Sequence, residues 1–263
     1  MGTDIHLICE VKEEGNWKPN EDKVFPNPDY HWLKQRIEED PDYKVPEFWK
    51  DDLDNEFKSN PEDGRWYDKF SILANVRNGH GFAGVKTGSG FNYMSDYRGF
   101  PEDTDPSFVE NNSDWTHSHT WVDLEDFKNF DWDARTFKTG VIKLAQYEKL
   151  RNPLVKHNTE TPNSWSGSVG GGNTITITSE EADEILKGEK QFLTREPSFD
   201  FFNRADETEG TTKHVDEWDV YVEYSWAIKY SEWFETFIKN WVKPIEKLGE
   251  KYEDVRVVMS FDS

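Results

Sequence analysis

Three short stretches of this chain place ionisable side chains where extended backbone would hold them together. Asp4 and His6 lie two residues apart in the opening MGTDIHLICEVKEE, so on a strand they project the same way, about 7 Å apart at their α-carbons. His117 and His119 repeat that spacing in WTHSHTW. At the C-terminus, Arg256, Val258, Ser260 and Asp262 share one strand face, with Asp262 at its mouth. Were these strands neighbours, two carboxylates and three imidazoles would converge. That mixture of hard oxygen and borderline nitrogen donors suits Zn, Mn or Fe. Asp4, His6, His117 and His119 are then the expected metal ligands, with Asp262 as ligand or base. A bound divalent ion would activate water and offset the chain's negative field for a phosphate ligand. Arg77 and Arg98 are the guanidinium candidates for holding that phosphate. Trp115 and Trp121 bracket the histidine pair and could stack on a flat ligand, and His80 could reach it from a loop. Each pair also has a plainer explanation as a surface feature or a hydrogen-bonded sheet end. An alternative chemistry uses His117 and His119 as an acid/base pair with Ser118 or Thr120 on phosphate, but only one H-x-T copy is present. Glu102 and Asp103, following Pro101, could supply a base or cap a helix.

The elements that must position these residues are legible in part. Ile5, Leu7, Cys9 and Val11 alternate with Asp4, His6, Ile8 and Glu10, a strand pattern closed by a turn at Glu14-Gly15-Asn16. Residues 19–64 read as an acidic excursion in which six prolines break any long element, with helical turns around Glu47–Phe57. Tyr67, Phe70, Ile72, Leu73 and Val76 predict a short helix ending near Arg77. Five glycines from Gly79 to Gly90 form a loop that lacks the Gly-Lys-Ser/Thr of a phosphate-binding P-loop and reads as a mobile hairpin or lid. Asp123 is placed to cap a helix through Phe130, and Ser179 one through Lys187 that Gly188 stops. Trp218, Val220, Val222, Tyr224, Trp226, Ile228 and Tyr230 share one face of a long strand. A helix with Trp233, Phe234, Phe237, Ile238, Trp241, Val242, Ile245 and Leu248 at its spacing follows, kinked or broken by Pro244. The strand VRVVMSFD ends the chain. The expected fold is α+β, a mainly antiparallel sheet with helices packed on one face and long glycine-rich and acidic loops, as a single domain with a peripheral insertion at about 140–215.

Composition bounds the partners. There are 53 acidic against 31 basic residues, a net charge of -22, and mean hydropathy is -0.93. Such numbers alone describe a disordered chain, but 12 Trp, 18 Phe and 10 Tyr argue for a core built from large rings. A chain of this charge is repelled by duplex phosphate and anionic lipid, so neither direct duplex DNA binding nor a membrane partner is expected. Cys9, the one cysteine, permits no internal disulfide and fits a reducing compartment. Neither a signal peptide nor a membrane span is read in the sequence.

The islands DIH, YDKFSILANVR, RGFPED, HSHTW and VRVVMSFD, in this order, resemble a family of uncharacterised bacteriophage proteins. In that family the corresponding pieces are DIH, LAGVR, RGLPED, HSHSW and VRVVFWFDN. Here Asn75 replaces a glycine, Phe100 a leucine, Thr120 a serine and Ser263 an asparagine, and none of these changes removes a candidate ligand. Most of residues 19–64 and 140–215 lies outside the resemblance, and the family brings no established activity. It implies phage origin and action in the host bacterial cytoplasm, against host immunity or on nucleotides. Three functions are consistent with these readings: a metal-dependent phosphoesterase acting on a nucleotide-derived signal, a non-enzymatic sponge for a nucleotide-like ligand, and an acidic decoy that occupies a host defence protein.

Overall fold

In the computed structural model, which describes residues 2–169, 174–188 and 219–262, the chain begins with β1 (Ile5–Glu13) and β2 (Asn16–Pro19). β3 (Phe25–Pro26), α1 (Pro28–Glu39), α2 (Lys50–Asp54), β4 (Phe57–Lys58) and α3 (Tyr67–Ala74) follow, then α4 (Pro106–Asn112), β5 (His117–Asp123) and α5 (Leu124–Asn129). Next come β6 (Arg135–Lys143), α6 (Leu144–Leu150), β7 (Thr174–Ile177), α7 (Ser179–Leu186) and β8 (Asp219–Lys229). The last elements are α8 (Tyr230–Trp233), α9 (Glu235–Phe237), a π turn over Ile238–Val242, α10 (Lys243–Gly249) and β9 (Asp254–Phe261). The class is α+β with mainly antiparallel sheets, as the sequence predicts. No helix among the described residues is long and apolar enough to cross a membrane.

The chain divides into two compact units. One comprises residues 1–78, 91–133 and 231–263; the other, residues 79–90 and 134–230. The boundary thus falls earlier than the insertion read at about 140–215, and the second unit also takes in the glycine-rich loop.

The first unit is built on a sheet in the order β2-β1-β9-β5. Glu14 (φ 51°) and Gly15 (φ 78°) make a two-residue turn with both φ positive, which matches strand twist and pairs Glu13 with Asn16. β9 is central, and every residue from Val255 to Phe261 is buried. Alternation sorts the rows: Ile5–Phe261–His117 and Cys9–Val257–Val122 face one side, His6–Ser260 and Glu10–Arg256–Asp123 the other. Phe70 of α3 packs on Phe261 with ring centroids 5.3 Å apart, so α3 lies on the first of these faces.

Local signals account for several helix ends. Asp123 and Asp126 form a capping box on α5. α7 has one at Thr178 and Glu181, one residue earlier than the Ser179 cap expected. Asn75 takes the left-handed conformation and stops α3 at Ala74, short of the predicted Arg77. α1 is the clear departure. Taken as breakers, the prolines of residues 19–64 exclude a long element, yet Pro28 occupies the first turn, where no N–H is needed, and the Asn27 side chain accepts from Asp29 N. Before Pro244 the C-terminal helix widens into the π turn, because proline has no N–H to continue an α ladder.

Lys69 of α3 is 3% exposed, donates to Glu62 O at 3.0 Å and lies 5.0 Å from the Trp241 ring centroid. Burial pushes its ammonium down from the ordinary 10.5 to about 8. Between these values the unfolded chain holds a proton that the native state has lost, so stability rises with pH. The expected gain from pH 8 to 10.5 is on the order of 3 kcal/mol. The unfolding free-energy difference between the native chain and Lys69→Met, read from urea midpoints, should widen by that amount across the window, because buried Cys9, Tyr147 and Tyr224, whose protons the native state keeps longer, lower both chains alike.

The second unit carries a sheet in the order β6-β8-β7, with β7 parallel to β8. Val220, Val222, Tyr224, Trp226 and Ile228 are buried along β8 as the alternation predicts; Trp218 of the same pattern lies outside the described residues. The glycine-rich loop is held to β6 rather than standing free: Ser89 N donates to Phe137 O and Thr139 N to Thr87 O, both at 2.9 Å.

Candidate functional site

The beginning, middle and end of the chain do meet, because β9 runs between β1 and β5. Asp4 N donates to Asp262 Oδ1 at 2.8 Å, and Asp262 N returns a bond to Asp4 O at 3.1 Å. His6 Nε2 lies 3.3 Å from Asp262 Oδ2, and its ring meets Trp115 edge-on at 4.7 Å. Asp4 is held bidentately by Arg65 at 2.7 and 2.6 Å, which keeps its carboxyl below the usual carboxylate range. Trp115 is about half exposed and donates from Nε1 to Asn111 O.

The paired histidines do not join this group as expected. Ser118 has φ +55°, in the left-handed region, and the ladder slips between His117↔Phe261 and Thr120↔Met259. This bulge inserts one extra residue into β5, so the rule that residues two apart project together fails here. His119 Nε2 bonds Thr116 Oγ1 at 2.9 Å, and its ring stacks on Phe100 at 4.2 Å. Its pKa falls below the ordinary value, chiefly because burial disfavours the cation. His117 shares a row with Ile5 and Phe261, whereas His6 shares one with Ser260 on the opposite face. Among the described residues, no three His, Cys, Asp or Glu side chains are grouped to hold a metal ion. Asp4, His6, His117, His119 and Asp262 are therefore brought to one end of the sheet without forming a single donor set.

The two candidate arginines have different surroundings. Arg98 is committed to Asp126, with contacts of 2.6 and 3.0 Å; it also donates to Trp121 O and Met94 O and lies over the Trp121 ring at 4.8 Å. Trp121 thereby stacks on a guanidinium of its own chain. Arg77 lies just beyond α3, with Nε donating to Thr3 Oγ1 at 2.9 Å. It lines a cleft of about 340 Å³ with Thr3, Val76, Tyr97, His117 and Ser118. In the same lining, His117 Nδ1 and Ser118 Oγ are 2.8 Å apart. Arg77 (φ +56°) and Ser118 (φ +55°) are both left-handed non-glycine residues, a conformation kept only where the surroundings impose it. His80 belongs to the second unit, where it is exposed and bridges to Lys86.

Sequence reasoning missed a buried charge pair on the His6 face. Arg256 Nε donates to Glu10 Oε2 at 2.7 Å, and both side chains are at most 5% exposed. Glu10 Oε1 accepts Asp105 N at 2.8 Å, and Asp103 Oδ1 accepts from Arg256 Nη1 at 2.8 Å. Thus Asp103 ties the RGFPED segment to the sheet, while Asp105 caps α4. A charged residue at each of two facing strand positions was the available signal; register was not. Comparison with known proteins finds no match among protein families, curated sequences or solved structures.

Proposed function

We propose that the protein binds a small phosphate-bearing, nucleotide-like ligand in the Thr3–Arg77–His117–Ser118 cleft, and that it is a phage protein withholding such a ligand from host defence in the bacterial cytoplasm. One observation carries the reading. In a chain of charge -22, this cleft is lined by a guanidinium, an imidazole and three hydroxyl-bearing side chains, with no carboxylate. A phosphate needs such a locally reversed field, and guanidinium geometry matches its oxygens. The volume of about 340 Å³ lies in the range of small-ligand sites. The segments behind the phage resemblance support the same end of the sheet: DIH opens β1, HSHTW opens β5, SFD ends β9, and Gly99 of RGFPED donates to His119 O at 2.9 Å.

Calorimetric titration with inorganic phosphate and with a nucleoside 5′-monophosphate tests this. Arg77→Ala should weaken binding by about 10- to 100-fold, the loss of one charge-assisted contact set. Arg98→Ala should leave affinity unchanged, since that guanidinium already serves Asp126. Absent saturable binding, or equal losses from both substitutions, the reading fails.

A further inference from the structure

We infer that Ser118 is a nucleophile in this cleft and His117 the base that takes its proton, so that the protein cleaves a phosphoanhydride or an activated phosphoester. This rests on the cleft being a phosphate site and adds chemistry to it. A serine hydroxyl is a poor nucleophile unless a neighbouring base accepts its proton. Here Ser118 Oγ and His117 Nδ1 are 2.8 Å apart, within hydrogen-bonding reach. The left-handed backbone of Ser118 takes it out of the strand ladder, as bulges beside active sites re-aim a side chain. The same cleft lining includes Arg77, which would stabilise charge on the equatorial oxygens of the phosphoryl group. His119 is excluded as the base by its bond to Thr116 and its stacking on Phe100.

In the step itself, an Oγ–P bond forms as the bond from phosphorus to the leaving oxygen breaks. The hydroxyl proton passes to His117 Nδ1. The leaving oxygen departs with the electron pair as a phosphate or other weakly basic anion, which needs no proton. Once His117 has released its proton to solvent, it deprotonates a water that attacks the phosphoserine and regenerates Ser118. The sum is hydrolysis, with water as the only co-reactant.

A fluorophosphonate electrophile tests the nucleophile directly, because attack forms an Oγ–P bond with loss of fluoride. Treatment of the full chain, followed by intact mass and peptide mapping, should give one adduct, on Ser118. The adduct should be absent in Ser118→Ala and Ser118→Gly, and should form at least 10-fold more slowly in His117→Asn. Glycine adopts φ +55° without strain, so loss of labelling in that variant is not a folding defect. Wild-type protein is titrated with inorganic phosphate in parallel. Phosphate binding without labelling of Ser118 overturns the nucleophile and leaves the binding reading standing. Labelling without phosphate binding overturns the phosphate class of substrate. An unchanged rate in His117→Asn overturns the role of the base.

Discussion

Replacing Glu10 by alanine should lower the unfolding free energy by about 3–5 kcal/mol, read as a shift in urea midpoint at constant m. The cause is the charge left behind. Arg256 is 4% exposed, lies 4.1 Å from the Trp17 ring centroid, and has its Nη2 buried without a hydrogen-bond partner among the described residues even in the intact protein. Without Glu10 its remaining anionic contact is Asp103, whose side chain is 62% exposed and contributes as a surface charge does. Asp105 N also loses its acceptor. The double replacement Glu10→Met, Arg256→Met should recover most of the loss, because buried apolar pairs of similar volume avoid the desolvation cost of both ions. A loss below about 1 kcal/mol for Glu10→Ala would show that water reaches the pair.

The second large effect is expected at Gly88, in the other unit. A β-carbon there would sit 2.3 Å from Phe137 O and 3.1 Å from Lys138 Cα, on a backbone with φ +154°. The neighbours are main chain of β6 and cannot swing away, while the flanking Thr87 and Ser89 hydrogen bonds hold the loop against that strand. Gly88→Ala thus combines overpacking with backbone strain, together about 3 kcal/mol or more. The expected result is faster proteolytic nicking within residues 79–90 and a lower melting temperature. Gly15→Ala is the contrast: φ is +78°, but nothing lies within 4 Å of the added methyl, so the cost should stay near 1 kcal/mol. Equal effects at the two positions would remove the steric explanation.

These sites also show where sequence reading succeeds and stops. The cap at Asp123, the turn at Glu14-Gly15 and the buried rings of β8 were legible, since each depends on residues within a few positions of one another. Missing α1 had a local cause too: proline disrupts a helix interior but favours its first turn, so position relative to Asn27 mattered more than residue type. At the candidate site, residue types were informative and geometry was not. DIH, HSHTW and SFD do converge, but treating HSH as regular strand put both imidazoles on one side, and the left-handed Ser118 separates them.

By itself, the sequence determined the α+β class, most strand faces and several helix ends, because periodicity and capping are short-range. Tertiary structure alone decided which charges meet. Arg98 finds Asp126 across 28 residues and Arg256 finds Glu10 across 246, while packing places Arg77 in the lining of the cleft. Such choices follow from strand register and desolvation, which arise only when distant segments pack.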